Sequence, residues 1–412
     1  VDSRPIWVVP LAQASLLGTP SVGGKAAKLS DLINAGFRVP AGFCITSSAY
    51  EHYIDHSDLV RLIRMELGRK PFRDMRWEEI WDAALRIRSA FLSTDVPNAL
   101  AREIGAAVDA LGAKTFVAVR SSAPGEDAAD RSFAGLHESV VGVRGVTAAL
   151  DAVRVVWASL WSDAALLCRQ ELSLDPSHSR MAVVVQELVT EDRSGVAFGR
   201  DPRDPTLECA IVEAVPGLCS DLVDGLVDPD HWTIDRTTGD ILKFRAGERE
   251  GADDSHPLLE PADLSTVLEA LQRVELLFGW PPDTEWTGRQ ERFMLLQARP
   301  ITTAANPTGD ERGWYLSLRP SQRRLAALAE RVSQQLIPQL AQLGNQLAGE
   351  AIEAYTDAEL AAAVEARLSA YREWQHIYRD EFIPFAHGVR QLGTYSITTQ
   401  SVPSTPTNLL GS

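Results

Sequence analysis

Arg120, Ser121 and Ser122 follow directly on an apolar run at 116–119 and precede a loop of small residues, Pro124 and Gly125. A second small-residue turn comes at Ser132-Phe133-Ala134-Gly135. Arginine at the end of a buried strand offers a planar, permanently charged fork. Small residues beside it let main-chain N–H groups approach phosphate oxygens. The set suits a polyanion such as a nucleoside triphosphate; it suits equally a surface loop with a structural salt bridge. A second group lies at 281–303. Asp283 and Glu285 are two apart, so they share one face of a strand, and after a turn at Gly288 so do Gln297 and Arg299. Hard oxygen ligands beside an arginine make a magnesium–phosphate site. The alternative is a cross-strand salt bridge between Glu285 and Arg299. A third group is Gly23-Gly24-Lys25, ahead of a helical pattern. It could seat phosphate at a helix N-terminus or be a plain turn, and it lacks the G-x-x-x-x-G-K-[ST] spacing. His52 and His56 lie four apart on one helix face, with no third metal ligand evident.

Strands and helices must position these residues. Residues 116–119 read as a buried strand that delivers Arg120. The helical pattern after Gly24 stops at Gly36, and a turn at 39–42 leads into a strand at 43–46. Residues 50–112 read as packed helices, and 146–172 as one helix with Trp157, Leu160 and Trp161 on its apolar side. The β-branched run at 181–185 reads as a central strand ending in Gln186-Glu187-Leu188. Residues 194–198 and 211–214 are the next strands, the second presenting Glu213. A hairpin is expected over 232–244 and a helix over 264–278. Beyond a polar linker at 304–313, Leu325, Leu328, Val332 and Leu336 form an amphipathic helical face that Pro338 interrupts or kinks. Helical pattern continues over 352–378, and 396–412 reads as a frayed tail.

The run VAVRSSAPGED…SFAGLHES resembles the nucleotide-binding domain shared by phosphoenolpyruvate synthase, pyruvate phosphate dikinase and rifampin phosphotransferase. Arg120, Ser121, Ser122, Ala123, Glu126, Asp127, Ser132, Phe133, Ala134 and Gly135 carry the match. The stretch from Gly23 to Phe43 resembles the opening of that family, and D-x-E-W…L-x-Q-A-R-P-I-T its closing motif. The resemblance spans Gly23 to Thr303. It implies an α/β fold of ATP-grasp type with a C-terminal helical appendix. The first lobe would be 1–190 and the second 191–303, with helices over 314–395. It implies ATP and Mg²⁺ as ligands. Lys25, Arg120, Ser132, Ala134 and Gly135 would hold phosphates, Gln186, Glu187 and Leu188 adenine and ribose, and Glu285 and Gln297 the metal. Glu213 is a further nucleotide contact, and Arg120 and Arg299 would neutralise the phosphoryl group in transfer. Cys219 and Ser220 stand where relatives carry Gly and Glu, which puts the role of that glutamate in doubt. The family's phosphohistidine motif, T-x-G-G-x-x-S-H in type, is absent from this sequence; His387 does not lie in one.

Of 412 residues 45% are hydrophobic, enough for two or three domains with sizeable cores. Basic residues number 40 against 56 acidic, a net charge of −16. This argues against nucleic-acid binding through a broad basic face but not against a local cationic cluster. Four dispersed cysteines without a CxxC fit a reduced, cytoplasmic protein. No apolar run reaches the roughly 20 residues of a membrane span, and no signal-peptide pattern opens the chain. Three functions are open. The chain is the ATP-binding part of a dikinase whose phosphohistidine domain is supplied elsewhere, a stand-alone kinase with a separate acceptor, or a non-catalytic nucleotide-binding module.

Overall fold

The computed structural model describes residues 5–112, 114–123, 127–128, 131–132, 137–202, 206–219, 222, 227–247, 257–301, 328–350 and 352–382. The chain divides into two compact units. One comprises Val1–Val223 with Val227–Asp310, the other Asp224–Leu226 with Glu311–Ser412.

The first unit mixes helices with two antiparallel sheets. Strands β1 (Val8–Pro10), β2 (Gly42–Ile45), β3 (Phe116–Ser122), β6 (Ser139–Arg144) and β7 (Ala182–Glu187) form a sheet in the order β1-β2-β7-β3-β6. Between β3 and β6, β4 (Asp127–Ala128) and β5 (Arg131–Ser132) make a two-strand ribbon. Strands β8 (Arg193–Phe198), β9 (Cys209–Pro216), β10 (Asp230–Asp235), β11 (Ile241–Arg245), β12 (Pro282–Thr287) and β13 (Met294–Pro300) form a second sheet in the order β11-β10-β9-β8-β12-β13.

The apolar run of β7 is central because both of its faces are buried. Val183 and Val185 pack into a core with Tyr50, Phe91, Trp157 and Trp161. That core is built by helices α2 (Ser47–Asp55), α3 (Leu59–Leu67), α4 (Trp77–Ser93), α5 (Asn98–Leu111), α6 (Val146–Ser159) and α7 (Asp163–Glu171). Ala182 and Val184 face a second core, shared with helix α1 (Thr19–Asn34), with Trp232, Trp286 and Leu295 of the second sheet, and with helix α8 (Pro261–Phe278). Period-two alternation in one strand therefore serves two cores.

Helix α1 is broken at Gly23, whose φ of 75° leaves the helical region, so the regular turns begin at Gly24. Ser122 of β3 fills the gap. Its hydroxyl donates to the Val22 carbonyl (2.7 Å) and accepts from the Ala26 N–H (3.1 Å). An orphan N–H of a helix start is thereby satisfied from 96 residues away. At the far end Phe37 N–H reaches the Leu32 carbonyl and Gly36 N–H that of Ile33, with Gly36 at φ 80°. That pattern is a Schellman stop.

One helical expectation is corrected. The helix expected over 146–172 is two helices, because Ser162 caps the second by accepting from Ala165 N–H. A serine followed by Asp163 is a start signal, and it wins over continued apolar periodicity. In the second unit the helical run is irregular just ahead of Pro338. A π-helical turn, Val332–Leu336, leads into α9 (Ile337–Ala348). The wide turn accommodates the missing N–H and the bulk of the ring. Helix α10 (Asp357–Ile377) follows, capped by Thr356 and Glu359. Leu325, the linker at 304–313 and the tail lie outside the described residues.

At Gly23 an added Cβ would sit 1.9 Å from the Ser122 carbonyl oxygen, where φ is also positive. Gly23→Ala is expected to lower the unfolding free energy by more than about 2 kcal/mol, read as a shift in urea midpoint. Gly36→Ala has nothing within 4 Å of the added atom and should lose less, about 1 kcal/mol.

Candidate functional site

Arg120 leaves β3 and crosses from the first sheet to the second. Its Nη2 donates to Glu285 Oε2 at 2.6 Å and to Gln297 Oε1 at 2.9 Å, and its Nη1 donates to the Leu296 carbonyl at 3.2 Å. The two acceptors converge because Glu285 and Gln297 are directly opposite in the β12–β13 ladder. Immediately after that pair the register shifts between Glu285 and Trp286, a bulge of the kind that re-aims side chains beside a site. Trp286 goes to the core and Glu285 to the opposite face.

The next pair along the same face is Asp283 and Arg299. Arg299 Nε and Nη2 both lie 2.9 Å from Asp283 Oδ2. The cross-strand bridge therefore exists, but its carboxylate is Asp283, not Glu285, because the ladder sets Asp283 opposite Arg299. Lys25, at the start of the regular part of α1, donates to Ser121 Oγ at 3.3 Å.

The carboxyl of Glu285 would be pushed up by burial. Arg120, Arg299 and Lys25 outweigh that and hold it below the usual carboxylate range. It is an ionised carboxylate, 16% exposed, facing an arginine as little exposed. Its oxygen and the Gln297 amide oxygen meet on one cationic nitrogen. Two convergent hard oxygen donors, one of them anionic, are a donor set suited to Mg²⁺, so the residues present fit that ion.

Other sequence-derived candidates sit apart from this cluster or outside the description. The Gln186 amide is buried and donates to the Pro40 carbonyl at 3.2 Å. The N–H groups of Glu187 and Leu188 donate to the carbonyls of Ala41 and Phe116, each at 2.8 Å. These donors tie the end of β7 to the neighbouring segments. Glu187 keeps an exposed side chain. Ser132 lies in β5, but its side chain, with Ala134, Gly135 and Ser220, lies outside the described residues.

Cys219 is buried with Val196, Val215 and Leu222, and its thiol donates to the Gly195 carbonyl at 3.3 Å. The sulfur is a packing element there. The rings of His52 and His56 are in tilted contact, with centroids 3.8 Å apart, and Trp7 lies against His52 at 4.2 Å. Glu213 Oε1 lies 3.1 Å from His231 Nδ1, in place to accept from the ring N–H. Sequence reasoning passed over His231 because a histidine two residues after a proline carries no spacing signal. It overlooked Asp283 as the partner of Arg299 for a different reason. The alternation was legible, but the register was not.

Residues 19–313 match the family described as pyruvate phosphate dikinase, AMP/ATP-binding domain. The chain belongs to that family. Among curated relatives, a probable phosphoenolpyruvate synthase of Methanothermobacter thermautotrophicus is 32% identical over 307 residues, covering 69% of this chain and 44% of the relative. A rifampicin phosphotransferase of Streptomyces sviceus is 37% identical over 313 residues, covering 72% and 36%. The prodigiosin synthesizing transferase PigC of Serratia marcescens is 32% identical over 322 residues, covering 74% and 34%. The chain thus spans about a third to just under half the length of these relatives. Among the described residues no helix is long and apolar enough to cross a membrane.

The lowered acidity range of Glu285 has a consequence for stability. A carboxyl whose folded pKa is depressed contributes fully above its unfolded value and loses that contribution as pH falls through the folded value. Urea midpoints taken from about pH 6 down to about pH 3 should fall more steeply for wild type than for Glu285→Gln. The variant should be the less stable of the two at pH 6 and approach wild type in acid. Parallel curves would mean that Glu285 is not held ionised by Arg120.

Proposed function

We infer that the first unit is an ATP-grasp-type module that binds ATP with Mg²⁺ between its two sheets, as the nucleotide-binding part of a dikinase. The observation that carries this is the meeting of Glu285, Gln297 and Arg120 in a member of an AMP/ATP-binding family. Lobes of 1–190 and 191–303 and a helical appendix over 314–395 go with that reading.

Glu285 and Gln297 would hold the metal, which when bound supplies charge neutralisation at the phosphates. A metal and Arg120 compete for the same two oxygens. With those oxygens on a metal, the Arg120 guanidinium would be available to a phosphate oxygen as a bidentate partner. Lys25, beside Ser121, adds positive charge at the start of α1, where helix N–H groups favour an anion. Ser132, Ala134 and Gly135 complete the phosphate loop. The base and sugar would lie toward Gln186, Glu187 and Leu188, with Glu213 a further nucleotide contact.

Arg299 neutralises charge that develops during transfer, and Asp283 fixes its fork. Positioning and fixed charge are what phosphoryl transfer chiefly needs. The acceptor is a histidine on a domain supplied outside this sequence. The relatives are named for different small molecules, and on this reading the final acceptor is chosen by that other domain.

Calorimetry should give ATP binding that requires Mg²⁺ and is lost in Glu285→Ala. No binding at millimolar nucleotide with Mg²⁺ would overturn the reading. With a phosphohistidine domain and labelled ATP, Arg299→Ala should slow single-turnover histidine phosphorylation by about two to three decades while changing ATP affinity much less. Asp283→Asn should show a milder form of the same split. Equal losses in affinity and transfer would make Arg299 a ground-state anchor instead.

A further inference from the structure

Glu285 is not isolated on its sheet face. In register it is opposite Val196, Val196 is opposite Glu213, Glu213 is opposite His231, and His231 is opposite Arg245. Residues directly opposite across antiparallel strands share a face. The row therefore runs straight from the Glu285–Gln297 pair to Glu213. Two strand spacings separate Glu285 from Glu213, about 10 Å. That is the scale of the reach from the terminal phosphoryl group of an extended triphosphate to its sugar. Nothing longer than Val196 stands between them in the row.

His231 sets the geometry at the sugar end. Its Nδ1 lies 3.1 Å from Glu213 Oε1, with the two side chains 17% and 28% exposed. The next residue in the row, Arg245, is engaged by Asp228 at 2.9 Å. The arginine is thus drawn off toward Asp228, and the imidazole is the hydrogen-bonding neighbour of the carboxylate. A glutamate on a strand otherwise samples several rotamers, and fixing it at the moment of binding costs free energy. With Oε1 held by the ring, Oε2 can accept from a vicinal hydroxyl without that cost.

We propose that His231 is a positioning residue for Glu213, and that the pair selects a ribonucleotide over a 2′-deoxyribonucleotide. The inference rests on the nucleotide reading given above and adds to it the residue that sets sugar specificity. The discriminating interaction is a hydrogen bond from a sugar hydroxyl to a charged acceptor, which is worth about a factor of ten or more when its geometry is fixed.

The test uses the full chain with Mg²⁺ and compares ATP with 2′-deoxyATP by calorimetry. Wild type should bind ATP about tenfold more tightly than 2′-deoxyATP. His231→Ala should weaken ATP while leaving 2′-deoxyATP nearly unchanged, so that the ratio falls toward one. Glu213→Gln should reduce the ratio as well, and adding His231→Ala to it should do little more. His231→Asn should restore the preference, because its amide N–H falls near the place of Nδ1, whereas His231→Gln should not. Thermal melting of each variant checks that the fold is retained. Equal weakening of both nucleotides in His231→Ala, or an unchanged ratio, overturns the inference. So does a wild-type chain that binds both nucleotides alike, although the nucleotide site itself then stands. A wild-type chain that binds neither nucleotide overturns the underlying reading, and this inference with it.

Discussion

A guanidinium from one sheet, clasped by a carboxylate and an amide from the other, is the contact on which the geometry of the first unit depends. Arg120 and Glu285 are 165 residues apart in sequence and 2.6 Å apart in space. Both are poorly exposed, so each would be costly to leave without the other. The same contact orders everything near it. It fixes the end of β3, and with it Ser121 and Ser122, which in turn hold Lys25 and the start of α1. It also fixes the mouth of the β12–β13 hairpin, and so the relation of Asp283 and Arg299 to the rest.

The carboxylate side of this contact shows how electrostatics and burial divide the work. Desolvation alone would favour the neutral acid. Three cations in reach of Glu285 reverse that preference. The carboxylate is therefore charged and committed, and its commitment is to an arginine, whose charge is permanent. An exchange of one cation for another leaves the local charge balance nearly intact. A site of this construction can change partners without passing through an uncompensated buried charge.

Much of this arrangement was legible in the sequence, for reasons that are local. The apolar run ending in Arg120, the alternation that sets Asp283 and Glu285 on one face, and the valine run of β7 are period-two signals over a few residues. Gly36 is a helix stop because only a residue tolerant of positive φ fits there. What could not be read is non-local or depends on register. The break at residues 160–162 lies where an apolar periodicity and a capping serine give opposite instructions, and packing decides between them. The pairing of Arg299 with Asp283 rather than Glu285 is a matter of one step in the ladder, set by a turn and a bulge. Ser122 as the cap of a distant helix start follows from tertiary contact alone. The strand end at Gln186, Glu187 and Leu188 was legible from the valine run before it, whereas the distant partners of its N–H groups were not.

Strand β7 has a wider consequence. Val183 and Val185 belong to one apolar core, and Ala182 and Val184 to the other. Neither core can lose its packing without loosening the strand that the other also uses. The two sheets are thus thermodynamically coupled through six residues of backbone, and the unit should melt in one cooperative step rather than sheet by sheet. Its main-chain amides, flanked by β2 and β3 and sealed on both faces, open only when the whole unit opens. Amide hydrogen exchange would find them among the last protons to leave.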